Sequence, residues 1–140
     1  MFEGFRPKAV LFGILADIGT TFIAMMVVTT FLGTQVGDGT LSQEELMQRI
    51  ERALQEPPYL LLGGLLGLLA TVLGGYVAAR TAEVAPLLNA ACVGVFDVVL
   101  GIFFIGRSPL WFSIVGLLLT LPAAIAGGVL FRRTGNGPPR

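Results

Sequence analysis

The residues from Tyr59 to Arg80, YLLLGGLLGLLATVLGGYVAAR, limit what this chain can fold into more than any other stretch. The run is apolar for about twenty residues, enough for a helix to cross a ~30 Å hydrocarbon core. Gly63, Gly67, Ala70, Gly74 and Ala78 recur at spacings of four, three, four and four, so they share one helical face. Small residues in register let a neighbouring helix approach closely. A packed membrane helix is therefore expected here.

Composition agrees with this. The chain has 140 residues, of which 54% are hydrophobic and 13% charged. A soluble domain carries about 25% charged residues, so the shortfall argues for an integral membrane protein. The formal charge is zero, which leaves no basic excess for nucleic acid. The single cysteine, Cys92, has no partner for an intrachain disulfide and reads as a small packing residue. Histidine is absent, and with it the commonest general base and transition-metal ligand. No HExxH, GxSxG, CxxC or Walker pattern is present, so no enzyme, metal or cofactor is expected.

Three further apolar runs accompany the first. Arg6 and Lys8 precede the run from Val10 to Gly33, which imitates a signal peptide; its length and Asp17 point instead to a retained first span, 10–33. The other spans are expected at 59–79, 86–105 and 110–131. Between the first two lies SQEELMQRIERALQE, residues 42–56, the one polar amphipathic helix. Ser42 and Glu45 form a capping box, with Leu41 and Leu46 placed as a hydrophobic staple. Leu46, Met47, Ile50, Ala53 and Leu54 make its apolar stripe, and Pro57 and Pro58 are expected to stop it. The expected fold is all-α: an up-down bundle of four transmembrane helices with one extramembrane helix between the first two. Residues 132–140 read as a basic disordered tail.

Lysine and arginine set the orientation. With the N-terminus inside, the inner side holds Arg6, Lys8, Arg80, Arg132, Arg133 and Arg140, and the outer side Arg49, Arg52 and Arg107. Both termini are thus expected in the cytoplasm. Small-residue faces expected to pack helices also include Gly94 and Gly101 in the third span, and Gly116 and Gly127 in the fourth.

Asp17 and Asp97 are the informative polar residues. A carboxylate within a membrane helix costs at least ~2.5 kcal/mol, so such groups usually face the protein interior. At 1.5 Å per residue Asp97 lies about 16 Å from the inner end of its span and Asp17 about 10 Å, neighbours in depth if the two helices pack together. Thr20, Thr21, Asn89 and Thr120 are candidate partners, and Arg80 is close enough to approach Asp17 or snorkel outward. A purely structural, hydrogen-bonded role competes with a proton or cation site built from Asp17, Asp97, Asn89 and Thr20. Pro122 inside the fourth span frees a carbonyl near Leu118, and a kink there would open a polar pocket.

The segment GGYVAARTAEVAPLLNAACVG, residues 74–94, resembles a stretch of small uncharacterised four-helix bacterial inner-membrane proteins, in which Gly-Gly-Tyr-x-Ala closes the second helix. The resemblance implies a bacterial inner membrane and carries no activity with it. Small multidrug transporters match in size and in having an acid in the first helix. They differ in using Glu, in lacking a long extramembrane helix, and in a flanking motif missing here. The favoured expectation is a non-enzymatic accessory or scaffolding subunit, or a homo-oligomer, whose partners are the lipid bilayer and other membrane chains. The alternative is a small proton- or cation-coupled transporter or channel using Asp17 and Asp97.

Overall fold

The computed structural model describes residues 4–37 and 39–134. Asp38, in the stretch 34–41 whose Gly37, Asp38 and Gly39 signal a turn, and 135–140 of the expected tail with Arg140, lie outside the described residues. Five helices and no strand occur among them: α1 (Pro7–Val36), α2 (Gln43–Leu54), α3 (Pro57–Ala82), α4 (Pro86–Phe103) and α5 (Leu110–Arg133). All except α2 are long and apolar enough to cross a membrane.

Proline sets the starts. Pro7, Pro57 and Pro86 stand in the first turns of α1, α3 and α4, and Pro109 is the N-cap of α5. A first turn leaves its N–H groups unbonded, so the missing proline donor costs nothing there. Pro57 and Pro58 accordingly open α3, while α2 ends three residues earlier at Leu54. The helix α4 stops at Phe103 rather than Ile105. The Phe104 N–H turns back to the Gly101 carbonyl and the Ile105 N–H to the Ile102 carbonyl, and Gly106 follows at φ +97°.

Consecutive long helices are antiparallel. Gly13 of α1 meets Gly74 and Ala78 near the end of α3, and Gly64 and Gly127 near the two ends of α3 and α5 meet Phe112 and Val72 respectively. The parallel pairs are therefore α1 with α4 and α3 with α5. The helix α3 is central and touches every other helix, whereas α1 and α5 do not touch each other. The bundle is up-down in direction but not a closed ring.

The interior is built from small side chains: Ala70, Ala78, Ala79, Ala90 and Ala124 are fully buried. Large apolar groups such as Phe12, Leu15, Phe22, Ile23 and Leu65 are more than half exposed. In water this would be an aggregation surface; in hydrocarbon it is the expected exterior. Glycines mark the closest crossings. A Cβ on Gly75 would run into the Ala124 carbonyl, and one on Gly127 into the Val72 carbonyl. Gly74 and Gly94 also sit at helix crossings, against Gly13 and Asp17 and against Ala124 and Leu121, while Gly101 faces the Leu117 side chain.

Gly63, Gly67 and Gly116 do not pack helices within the chain, since a Cβ on any of them meets nothing within 4 Å. Gly63 stands beside Gly64 and Gly116 beside Leu117, residues that do make close contacts, so there the contact falls on a neighbouring position of the helix. Gly64, Gly75 and Gly128, which periodicity passed over, make close contacts, as does Gly13, whose spacing puts it on one face with Asp17.

Two latches hold the ends. At one end α2 folds back so that Ile50 and Ala53 cluster with Val28 and Leu32 of α1, with Leu46, Leu54, Tyr59 and Leu66 packed around them. Met47, read as part of that stripe, is instead 59% exposed. The capping box closes as expected: the Glu45 N–H donates to Ser42 Oγ at 3.3 Å, and the Ser42 N–H donates to Glu45 Oε2 at 2.9 Å. Gln55 Nε2 donates to the Arg107 carbonyl at 3.2 Å, tying this corner to the α4–α5 turn. At the other end Asn89 secures residues 4–6 and the α3–α4 turn.

Candidate functional site

The site follows from the Gly13–Gly74 crossing. Two helices without side chains at the contact come close enough that Asp17, one turn beyond Gly13, is pressed between α3 and α4; its Cβ lies 2.8 Å from where a Gly74 Cβ would stand. Asp17 is 6% exposed. The helix α1 begins at Pro7, three residues before the sequence estimate, so Asp17 lies about 15 Å from its start and Asp97 about 16 Å from the start of parallel α4. The equal depths bring the carboxyls side by side. The Asp97 carboxyl and the Thr21 and Thr71 hydroxyls are the polar neighbours of Asp17, and Thr71 also neighbours Asp97.

Asp17 Oδ1 and Asp97 Oδ2 are buried without a hydrogen-bond partner. The pair forms the blind end of a cleft of about 1070 Å³. Because α1 and α5 do not meet, they form facing walls over a floor of α3 and α4. The α1 wall presents Ile18, Phe22 and Met25, and the α5 wall presents Phe112, Val115 and Leu119. Gly64, Gly67 and Gly116 line the space between; Gly67 and Gly116 face open space, while Gly64 makes room for the Phe112 ring. Polar groups gather only at the blind end, where Thr21, Thr71 and Thr120 join the two aspartates. The cleft runs from there towards Phe104 and Trp111 at the α2 end. At that mouth the Arg107 guanidinium lies 5.0 Å from the centre of the Phe104 ring.

Other expected members lie elsewhere. Thr20 is off the cleft; the next residue, Thr21, faces Asp17, since one residue turns a helix by about 100°. Asn89 is fully buried about 12 Å along α4 from Asp97. Its Nδ2 donates to the carbonyls of Gly4 (2.9 Å), Val84 (3.1 Å) and Ala85 (3.1 Å), and its Oδ1 accepts the Arg6 N–H at 2.8 Å. Every polar atom of that side chain is used, so Asn89 belongs to a structural clasp. The clasp also holds a tight turn in which Glu83 and Ala85 have φ of 57° and 46°. Arg80 is exposed at the end of α3, about 14 Å along the axis from Thr71. Pro122 is exposed on the outer side of α5 and lines no part of the cleft. Thr120 turns its hydroxyl to the Gly116 carbonyl at 2.8 Å.

Sequence reasoning missed Thr71. It sits in a leucine-rich stretch where a lone threonine carries no periodic signal, and only the α1–α3 crossing gives it a role. Among the described residues no group of three or more His, Cys, Asp or Glu side chains is placed to hold a metal ion. The chain matches no family model, no curated protein and no solved structure, so its functional reading rests on these residues alone.

Proposed function

We propose that this protein is a small membrane transporter that couples movement of a cation to proton exchange at the Asp17–Asp97 pair. The observation that carries the reading is the buried, unpartnered Asp17 oxygen at the blind end of an open cleft. A carboxyl needed only for packing would be matched by donors, as Asn89 is. An intramembrane acid reached by a cleft, with one carboxyl oxygen left unmatched, is the arrangement a reversible proton site requires. The accessory or scaffolding role needs no path to the carboxyls.

In this reading the four long helices cross a bacterial inner membrane with both termini in the cytoplasm. Arg6, Lys8, Arg80, Arg132 and Arg133 then lie at the cytoplasmic end, opposite Arg49, Arg52 and Arg107. The cleft opens towards the outer half, and α2 lies along the outer surface.

The test is proton flux in proteoliposomes for wild type, Asp17→Asn and Asp97→Asn, alone and with an outward gradient of inorganic or organic cation. Cation-driven proton uptake that either substitution abolishes, in protein with an unchanged melting profile, is the expected result. Absence of flux in wild type under every gradient overturns the proposal and returns the accessory role.

A further inference from the structure

The walls of the cleft say what kind of cation reaches the pair. An inorganic ion stripped of water needs several oxygen ligands around it, and a divalent ion six or more. Here oxygen is confined to one end, while the rest is phenyl, indole and aliphatic surface. At about 1070 Å³ the space is at the upper end of small-molecule sites and far larger than a bare ion. Phe22, Phe104, Trp111 and Phe112 present aromatic groups, which hold organic cations well.

The route in is lateral. Ile18 and Phe22 on the α1 rim and Val115 and Leu119 on the α5 rim are each at least 45% exposed, on the side where the two helices do not touch. A molecule dissolved in hydrocarbon meets an apolar doorway there. The charge sites facing the pair are few: Asp17 comes from α1 and Asp97 from α4, and α3 and α5 add only the hydroxyls of Thr71 and Thr120. Arg107 lies over the Phe104 ring, at the end of the cleft away from the pair.

We infer that the cleft is a binding site for a lipophilic organic monocation, an ammonium on an aromatic or alkyl body, which enters from the membrane between α1 and α5 and sets its charge against Asp17 and Asp97. This rests on the transport reading and names its cargo. Before binding, both carboxyls carry a proton. On binding, the O–H bond of one of them breaks, its electron pair stays on the carboxylate facing the ammonium, and the proton leaves to water through the cleft mouth. The other carboxyl keeps its proton, so the complex of one carboxylate, one carboxyl and one monocation is neutral, as a buried site in hydrocarbon requires.

The experiment is calorimetric titration of the full chain in neutral detergent with phenylbutyl-trimethylammonium and with its neutral analogue carrying carbon in place of nitrogen. Proton release is recorded in weakly buffered solution. The cation is expected to saturate and release a proton, and Asp17→Asn to weaken it about thirtyfold or more, the low end for losing one partner of a buried charge pair. Gly116→Leu, which fills open space without touching a carboxyl, is expected to abolish binding while the fold is kept. Equal binding of the two compounds overturns the inference, since a lipid-filled groove or a seat for a second copy would read apolarity alone. Absence of saturable cation binding also overturns it. If such a preparation still moves protons against an inorganic gradient, the transport reading survives without this cargo; if it moves none, both fall.

Discussion

The two halves of the bundle use glycine in opposite ways. In the half holding the α3–α4 turn, Gly13, Gly74, Gly75, Gly94, Gly127 and Gly128 let backbones touch. In the half holding α2, Gly63, Gly67 and Gly116 face open space beside a cleft, and Gly64 and Gly101 meet only the side chains of Phe112 and Leu117 rather than backbone. The carboxyl pair lies at the boundary between them. A closely packed half fixes where Asp17 and Asp97 stand, and an open half gives something else access to them. The same residue type therefore means contact in one place and vacancy in another, decided by whether a neighbouring helix is within reach.

The sharpest way to break that comparison is to add one methyl group in each half. Gly75→Ala meets the Ala124 carbonyl, which retreats only if α3 and α5 separate. Overpacking of this kind costs ~1–3 kcal/mol or more, and thermal unfolding in detergent is expected to show a marked fall. Gly67→Ala meets nothing and gains helix propensity, so a neutral or slightly raised stability is expected, by at most ~1 kcal/mol. Equal losses at both positions would mean that the cleft is closed in the folded protein.

The clasp at Asn89 tests the packed half more gently. Asn89→Ala leaves the Gly4, Val84 and Ala85 carbonyls and the Arg6 N–H without that partner. A loss of about 1–3 kcal/mol is expected, with faster hydrogen exchange at the turn and near residues 4–6. Cation binding is expected to stay as in wild type, because the clasp lies about 12 Å from Asp97. A change in binding as large as that of Asp17→Asn would return Asn89 to the site.

The smallest effect belongs to the open half. Donation from the Ser42 backbone and then its hydroxyl holds the Glu45 carboxyl below the ordinary glutamate range, with Arg49 adding a weaker attraction. A lowered value in the folded state stabilises α2 above the ordinary glutamate range, and that contribution is lost as pH falls through the lowered value. Helicity of α2 followed by circular dichroism is expected to fall at acid pH in wild type. In Glu45→Gln the capping-box part of this pH dependence should be absent. Ser42→Ala is expected to cost about 1 kcal/mol of local stability at neutral pH. An unchanged acid profile in Glu45→Gln would show that α2 is held by its apolar face alone.

Much of the architecture was legible along the chain because its causes are local. Runs of twenty apolar residues, proline at helix starts and the Ser42–Glu45 box act within a few residues of themselves, so four long helices and the amphipathic α2 could be read directly. The aspartates were legible as well, since a charge in an apolar run is conspicuous wherever it falls. Their meeting was not, because it depends on α1 packing beside parallel α4 and on α1 beginning at Pro7, which equalises their depths. Thr71 in place of Thr20, Asn89 as a clasp, and Gly67 and Gly116 as cleft lining are of the same kind. Sequence periodicity assigns a residue to a face of its helix, but only tertiary packing decides what that face meets. Here the decisive fact is that α1 and α5 never touch, and that gap turns a small-residue bundle into one with a cleft leading to buried acid.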